Sequence, residues 1–211
     1  PRGEEPAPVL AREPPQRGER RVVVEFQAEP RLHIGWHTVG VFHQDMPALV
    51  MLTSLLTGGR TSRLYRRLVL EDRIATQITS SLGPGDRFPQ LFQVDAVPRA
   101  PHTTAEVEAT VYEELDRLRR APPDEIELQR VRNQIEAGNV RRLESNLGLA
   151  FQLAGSAALY GDWRTTFQLS RRIQAVTPGD VQEVVTRYFH PSNRTVATLV
   201  RGDAAGPGGL R

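Results

Sequence analysis

The chain has 211 residues, 39% of them hydrophobic and 25% charged, so it can bury a core as one large domain or two small ones. Its 27 basic residues are all arginine and are interspersed with 25 acidic residues, whereas a nucleic-acid binder would concentrate basic residues on one face or in a tail. It contains no cysteine, which excludes disulfides and thiolate zinc sites, and no apolar run approaches the roughly 18 residues of a membrane span.

The two ends of the chain differ in composition from its middle. The first 20 residues are rich in proline, arginine and glutamate, as inter-domain linkers often are, and the last residues are rich in glycine. We therefore predict a linker over residues 1–20, one folded domain over residues 21–200 and a disordered tail over residues 201–211. A linker at the start favours a longer parent chain.

The first part of the domain combines strand and helix signals. β-branched and aromatic runs predict strands over residues 21–27, 32–42, 74–82 and 88–97. Between the second and third of these, an N-cap position at Asp45 and the Gly58-Gly59 pair delimit one helix, and a second helix follows over residues 63–70.

The sequence of the second part of the domain is typical of helices. Apolar periodicity and capping signals, among them a capping box from Thr103 to Glu106, predict helices over residues 103–119, 123–142, 145–159, 163–176 and 178–189. A last strand over residues 195–200 returns to the sheet. Strands at both ends with helices between them predict an α+β fold, with helices packed on a mainly antiparallel sheet. We expect Trp36 and Trp163 to pack in the core or between domains.

Three segments carry a resemblance to a known family. LLTGGRTSRLYRRLVLEDRIATQITSS, at residues 55–81, resembles the helix, Gly-Gly, helix and strand block of pitrilysin/insulinase-type zinc peptidases and mitochondrial processing peptidase. Residues 142–163 and 177–200 resemble later segments of that family in the same order, and residues 13–26 resemble the connector between its two homologous halves. The resemblance covers nearly the whole chain and implies the C-terminal, non-metal half of such a metallopeptidase.

The resemblance also implies a function and a set of partners. A sheet-and-helix domain of this kind pairs with a homologous N-terminal domain that binds zinc, and the pair encloses a chamber in which a peptide substrate is hydrolysed. Zinc would belong to the parent enzyme, in an inverzincin motif H-x-x-E-H with a distal Glu. This chain contains no H-x-x-E-H or H-E-x-x-H, so we expect it to bind no metal and to be inactive alone.

The histidines of the chain are better explained as structural residues. His33 and His37 are four residues apart, a zinc-binding spacing on a helix, but they lie in a predicted strand with no Glu between them. His43 and His102 read as loop residues.

A second departure from the family concerns the transition state. The C-terminal half of many relatives supplies an Arg and, seven residues later, a Tyr that donate to the oxyanion. Aligning on Ser62 to Tyr65 places Val69 and Thr76 at those two positions, and neither can replace the charged donor. Either the parent borrows Arg and Tyr from a paired subunit, or the chain belongs to a wholly inactive scaffold partner.

Three residues remain as possible contacts to a peptide. The predicted strand over residues 74–82 could lie beside an extended substrate at a sheet edge. Arg73 and Thr76 lie at its start, and Arg63 lies on the preceding helix. Two of them have a structural alternative, which for Arg63 is an ion pair on a helix surface and for Arg73 is solvation.

Two other functions remain open at this stage. A non-catalytic assembly or peptide-binding protein could use the same fold, because fold alone does not fix function. An arginine-rich nucleic-acid binder would show affinity that falls steeply with salt. The absence of cysteine is compatible with either cytoplasm or periplasm, and the resemblance to paired bacterial systems favours the bacterial periplasm or envelope.

Overall fold

A computed structural model describes residues 13–85 and 88–202 of the chain. Residues 1–12 of the predicted linker and residues 203–211 of the predicted tail lie outside the described residues, so the division into linker, domain and tail stays a prediction. Within the predicted linker, the Gln16 side chain donates to the Arg194 carbonyl at 2.6 Å and lies 3.2 Å from His37 Nε2. The end of this segment is therefore docked against the edge of the folded domain.

One five-stranded sheet forms the base of the domain, with the strands in the order β1-β5-β2-β4-β3. The strands are β1 (Arg20–Phe26), β2 (Arg31–His37), β3 (Ala75–Gly83), β4 (Leu91–Pro98) and β5 (Arg194–Arg201). β1 and β5 pair in parallel, and the other three pairings are antiparallel. The predicted mainly antiparallel sheet is confirmed, and the last strand returns to its middle.

Seven α-helices within residues 13–85 and 88–202 complete the predicted α+β fold, which is confirmed. They are α1 (Met46–Thr57), α2 (Arg63–Tyr65), α3 (Thr104–Arg120), α4 (Glu125–Leu143), α5 (Asn146–Tyr160), α6 (Thr165–Gln174) and α7 (Pro178–Tyr188). The capping box of Thr103 and Glu106 is present as predicted. None of the helices in the described residues is both long enough and apolar enough to cross a membrane.

The second helix differs from the prediction of a plain α-helix. α2 continues directly into a π-helix, Arg66–Glu71, in which the Asp72 N–H bonds to the Arg67 carbonyl five residues earlier. Leu64 and Leu68 are both fully buried. Because the wider turn keeps these two residues on the buried side, the apolar spacing in the sequence does not distinguish the two helix types.

The core lies between the helices and one face of the sheet. Alternate residues of β2 and β4 point into it, and the Phe189 ring packs 5.0 Å from Trp36 and 4.8 Å from Phe92 between ring centroids. Trp36 is buried as expected. Trp163 is 42% exposed and packs against Phe167, so its placement in the core was wrong; a contact between domains stays a prediction.

Asp45 shows how a local signal can be redirected by tertiary contacts. It occupies the predicted N-cap position of α1, but its side chain makes no capping hydrogen bond. Its carboxylate instead accepts hydrogen bonds from Arg187 and from the Tyr188 hydroxyl, both at 2.5 Å. The start of α1 is therefore tied to the end of α7.

Candidate functional site

Three backbone irregularities precede and begin the edge strand β3. The π-helix ends at Glu71, Arg73 adopts a left-handed conformation with φ of 55°, and the pairing with β4 shifts between Ala75 and Gln77, leaving Thr76 in a bulge. π-helices, strained φ values and bulges each cost stability and often occur at functional sites. Their succession marks the start of β3 as the candidate site.

Arg73 and Thr76 lie at this site, and both are exposed. The Thr76 hydroxyl donates to the Val97 carbonyl at 3.3 Å, which holds the bulge against β4. β3 is the last strand in the sheet order, so β4 pairs with one side of it and no described strand pairs with the other. An extended peptide could therefore lie beside these two residues, and their contact with substrate stays a prediction.

Helix α1 covers part of the same edge. The Ser80 N–H donates to the Thr57 hydroxyl at 2.9 Å, and the Ser80 hydroxyl lies 2.8 Å from that same oxygen. One backbone donor in the second half of β3 is thus already bonded to a side chain. A peptide adding to this edge would have to pair beside the first half of the strand or displace Thr57.

Arg63 is held by two carboxylates. Its guanidinium donates in a bidentate manner to Glu127, at 2.9 and 2.6 Å, and to Glu114 at 3.1 Å. Burial lowers the pKa of Arg63, but the bonds and charges of these partners outweigh it and raise that pKa above its usual value. Arg63 therefore forms an ion pair, but between elements rather than on a helix surface, and substrate contact by Arg63 stays a prediction.

No sequence pattern pointed to the two carboxylates that bind Arg63. Glu114 lies 51 residues and Glu127 lies 64 residues from Arg63 along the chain. No helical or strand spacing links residues so far apart. The cluster appears only when α2, α3 and α4 meet.

The two positions aligned with the family's Arg and Tyr carry no strong donor. Val69 is partly buried and packs against the core, and Thr76 already donates to Val97. Neither can supply the charge that stabilises an oxyanion. The arrangement can pair with a neighbouring strand, but it cannot stabilise the charge of the transition state.

The histidines do not converge on one point. His33 Nδ1 lies 2.6 Å from Asp95 on the open face of the sheet, while His43, His102 and His190 contact residues near their own positions in the chain. Within residues 13–85 and 88–202, no group of three or more His, Asp or Glu side chains is placed to hold a metal ion. These donors therefore do not fit a zinc site.

The face of the sheet opposite the helices is a second exposed surface. His33 and Asp95 lie there in a shallow hollow of about 230 Å³, beside Val24 and Leu199 of the two parallel strands. The hollow is open, and the side chains of His33 and Asp95 are each about half exposed. This face can meet another protein surface.

Comparison with known proteins identifies the fold. A model of the family described as the peptidase M16 inactive domain matches residues 2–135. No protein with a curated description matches the chain.

Solved structures share the fold at low sequence identity. A protease from Helicobacter pylori matches with a TM-score of 0.86 and 22% identity over 94% of this chain and 48% of that one. A peptidase M16 inactive domain from Pseudomonas fluorescens matches with a TM-score of 0.78 and 16% identity, over 95% and 48%. The inactive peptidase domain of a candidate zinc protease from Bordetella parapertussis matches with a TM-score of 0.74 and 21% identity, over 86% and 97%. The chain thus spans about half the length of the first two.

Proposed function

Because the chain belongs to the peptidase M16 inactive-domain family, we propose that it acts as the non-metal half of a zinc-dependent metalloendopeptidase. In this proposal a homologous half carries H-x-x-E-H and zinc, and the two halves enclose a chamber in which peptides are cleaved. The observation that carries the proposal is that residues 2–135 match the inactive-domain family and that the fold is shared with a protease from Helicobacter pylori.

The contribution of this chain would be to position the substrate. A peptide lying beside the first half of β3 would gain main-chain hydrogen bonds without strong sequence preference. Arg73 could pair with a carboxylate of that peptide, and the bulge at Thr76 would set how the strand edge is presented. The exposure of both residues supports this role.

Charge stabilisation in the transition state would come from elsewhere. Val69 and Thr76 offer no guanidinium or phenol, so a paired subunit would have to supply the Arg and Tyr. Because the resemblance is to paired bacterial systems, we propose that the parent protein lies in the bacterial periplasm or envelope.

The lack of a guanidinium or phenol at Val69 and Thr76 also favours a second candidate function. A partner that has lost both the zinc ligands and the oxyanion donors could be a non-catalytic scaffold or a peptide-binding protein. Such a protein would bind peptide beside β3 without contributing to its hydrolysis.

The test is a measurement of zinc content and of cleavage of a fluorogenic peptide. We expect the 211-residue chain alone to bind no stoichiometric zinc and to cleave nothing, and to restore cleavage when mixed with its metal-bearing half. The control is that half with the Glu of H-x-x-E-H replaced by Gln, which should leave the mixture inactive. Zinc binding or cleavage by the chain alone would contradict the proposal. Peptide binding without cleavage in the mixture would support the scaffold instead.

A further inference from the structure

Strand β1 forms the edge of the sheet opposite β3, and its middle is apolar. All seven of its residues are exposed, and the exposed fractions of Val22, Val23 and Val24 are 51%, 66% and 47%. β5 pairs with one side of β1, and no strand in the described part of the chain pairs with the other side. An exposed edge strand with a run of β-branched residues is a template for pairing with another chain.

The free side of β1 carries backbone hydrogen-bonding groups at alternate residues. The Phe26 carbonyl accepts a hydrogen bond from the N–H of Gly202, which follows β5, so the backbone groups of Phe26 point toward β5. Because the N–H and C=O groups of successive residues point to opposite sides of a strand, those of Arg21, Val23 and Glu25 point away from β5. The free side therefore offers three donors and three acceptors, spaced two residues apart.

The segment before β1 leaves this side open. The Gln16 side chain donates to the Arg194 carbonyl and lies beside His37, and Glu19 pairs with the Arg194 guanidinium. Residues 16–19 thus run over the start of β5 toward β2, which is the direction away from the free side of β1.

The sequence of β1 is complementary to itself in one antiparallel register. When two copies pair about a two-fold axis at Val23, each Val23 lies opposite its own copy and each Arg21 lies opposite a Glu25. The outward donors and acceptors of both strands then all meet partners, and Val22 lies opposite Val24. An in-register parallel pairing would instead place Arg21 beside Arg21, and like charges in direct opposition are destabilising.

The side chains of Arg21, Val23 and Glu25 can reach a second copy. They share the face of the sheet on which Arg21 bonds to Glu108 of α3, but the exposure of Val23 shows that α3 does not cover this edge. Half of the Arg21 side chain is exposed, although its guanidinium also bonds to Glu19. Glu25 is exposed and has no ionic partner among the described residues. Each copy therefore brings an unpaired carboxylate to the Arg21 of the other.

We propose that two copies of this chain associate through antiparallel pairing of their β1 strands, which joins their two five-stranded sheets into one continuous sheet. The main-chain hydrogen bonds and the valine contacts hold the pair, and the Arg21–Glu25 contacts select its register. The interface is short, with one strand from each copy, so we expect a reversible dimer. The inference does not depend on a metal-bearing half, because every contact it uses belongs to this chain.

The test is sedimentation velocity of the 211-residue chain from low to high micromolar concentration. We expect the average mass to rise from that of one chain toward that of two. Val23→Lys places two like charges on the two-fold axis and removes the apolar contact, so association should weaken about tenfold or more. Val140→Lys is the matched control, because Val140 is 50% exposed but lies on α4, and it should leave association unchanged.

The register is tested by introduced cysteines, since the chain has none of its own. In the proposed register Val22 and Val24 form a non-hydrogen-bonded pair, whose Cα atoms would lie about 4.5 Å apart and within the range of a disulfide. Under a mild oxidant, a mixture of Val22→Cys and Val24→Cys chains should therefore form linked dimers much faster than either variant alone.

Several outcomes would overturn the inference. The chain could stay monomeric at every concentration, or Val23→Lys and Val140→Lys could weaken association equally, which would assign the contact to another surface. Faster linking of Val22→Cys with itself would contradict the antiparallel register. Association that appears only after removal of residues 1–12 or 203–211 would make that segment the occupant of the edge. None of these results bears on zinc content or peptide cleavage, so the proposed function is tested separately.

Discussion

At the scale of single residues, some charged side chains join different elements of the fold. The bidentate contact of Arg63 with Glu127 connects α2 to α4, and its contact with Glu114 connects α2 to α3. Glu114 is almost fully buried, and its two ionic partners are Arg63, at 3.1 Å, and Arg117, at 3.3 Å. Arg66, three residues later, pairs with Glu71 in a salt bridge that is more than half exposed.

We expect Arg63→Met to lower the free energy of unfolding by about 2–3 kcal/mol, because Glu114 and Glu127 keep only their more distant arginine partners, Arg117 and Arg130. Arg66→Met is the matched control on the same stretch of helix, and it should cost less than about 1 kcal/mol since its pair is exposed. Urea unfolding followed by circular dichroism measures both. If the two variants lose equal stability, the cluster contributes no more than an ordinary surface pair.

At the scale of elements, the junction after α1 requires glycine at two positions, and the physical reason differs between them. A Cβ on Gly58 would lie 2.4 Å from the Ser54 carbonyl oxygen and 2.8 Å from its Cα, closer than real side-chain atoms come to a backbone. Gly59 has a φ of 127°, which L residues rarely adopt. Glycine at both positions lets the chain turn sharply from α1 toward α2, as the Gly-Gly pair predicted.

We expect Gly58→Ala to lower the Tm, by several degrees for each kcal/mol lost, because α1 must move to admit the methyl group. Gly138→Ala is the opposite case: Gly138 lies within α4 with open space around it, so alanine should stabilise the chain by about 0.5–1 kcal/mol. Differential scanning calorimetry of the two variants gives the comparison. If Gly58→Ala leaves the Tm unchanged, the end of α1 can move to admit the methyl group at little cost in stability.

At the scale of the whole molecule, a polar network joins the first strand, the last strand and α3. Glu108 accepts hydrogen bonds from Arg21 on β1, at 2.5 Å, and from Tyr112 at 2.6 Å, and the Arg194 guanidinium of β5 lies 4.0 Å above the Tyr112 ring. Burial opposes ionisation of Glu108, but these bonds outweigh it and lower its pKa. The pKa of Asp45 is lowered in the same way, with Tyr188 and Arg187 overcoming its burial.

We expect the stability of the chain to fall in acid. A carboxylate whose folded pKa lies below its unfolded value stabilises the fold above that unfolded value, about 4 to 4.5, and this contribution is lost as the pH falls through the folded pKa. Urea midpoints at pH 7 and pH 3 measure the loss. Glu108→Gln should be less stable at pH 7 and should lose less on acidification than the parent chain.

The control for this prediction is Glu29→Gln, which removes an exposed carboxylate. It should leave the loss between pH 7 and pH 3 unchanged. Parallel losses in Glu108→Gln and the parent chain would show that Glu108 does not contribute to the pH dependence.

The sequence by itself determined what depends on neighbours along the chain. Apolar periodicity, the capping box at Thr103 and the glycine pair after α1 predicted the strands, the helices and the α+β class, because each reflects interactions within a few residues. The order of family-like segments likewise predicted membership of the peptidase family, which the match over residues 2–135 confirmed.

Only the tertiary structure decided which distant residues meet. The carboxylates around Arg63, the redirected Asp45 and the left-handed Arg73 follow from how whole helices and strands pack. Such contacts are fixed by the burial of a shared core and leave no repeat in the sequence. The sequence pointed to the strand beside which a peptide could lie, but the place of β3 at the end of the sheet and the bulge at Thr76 became visible only in three dimensions.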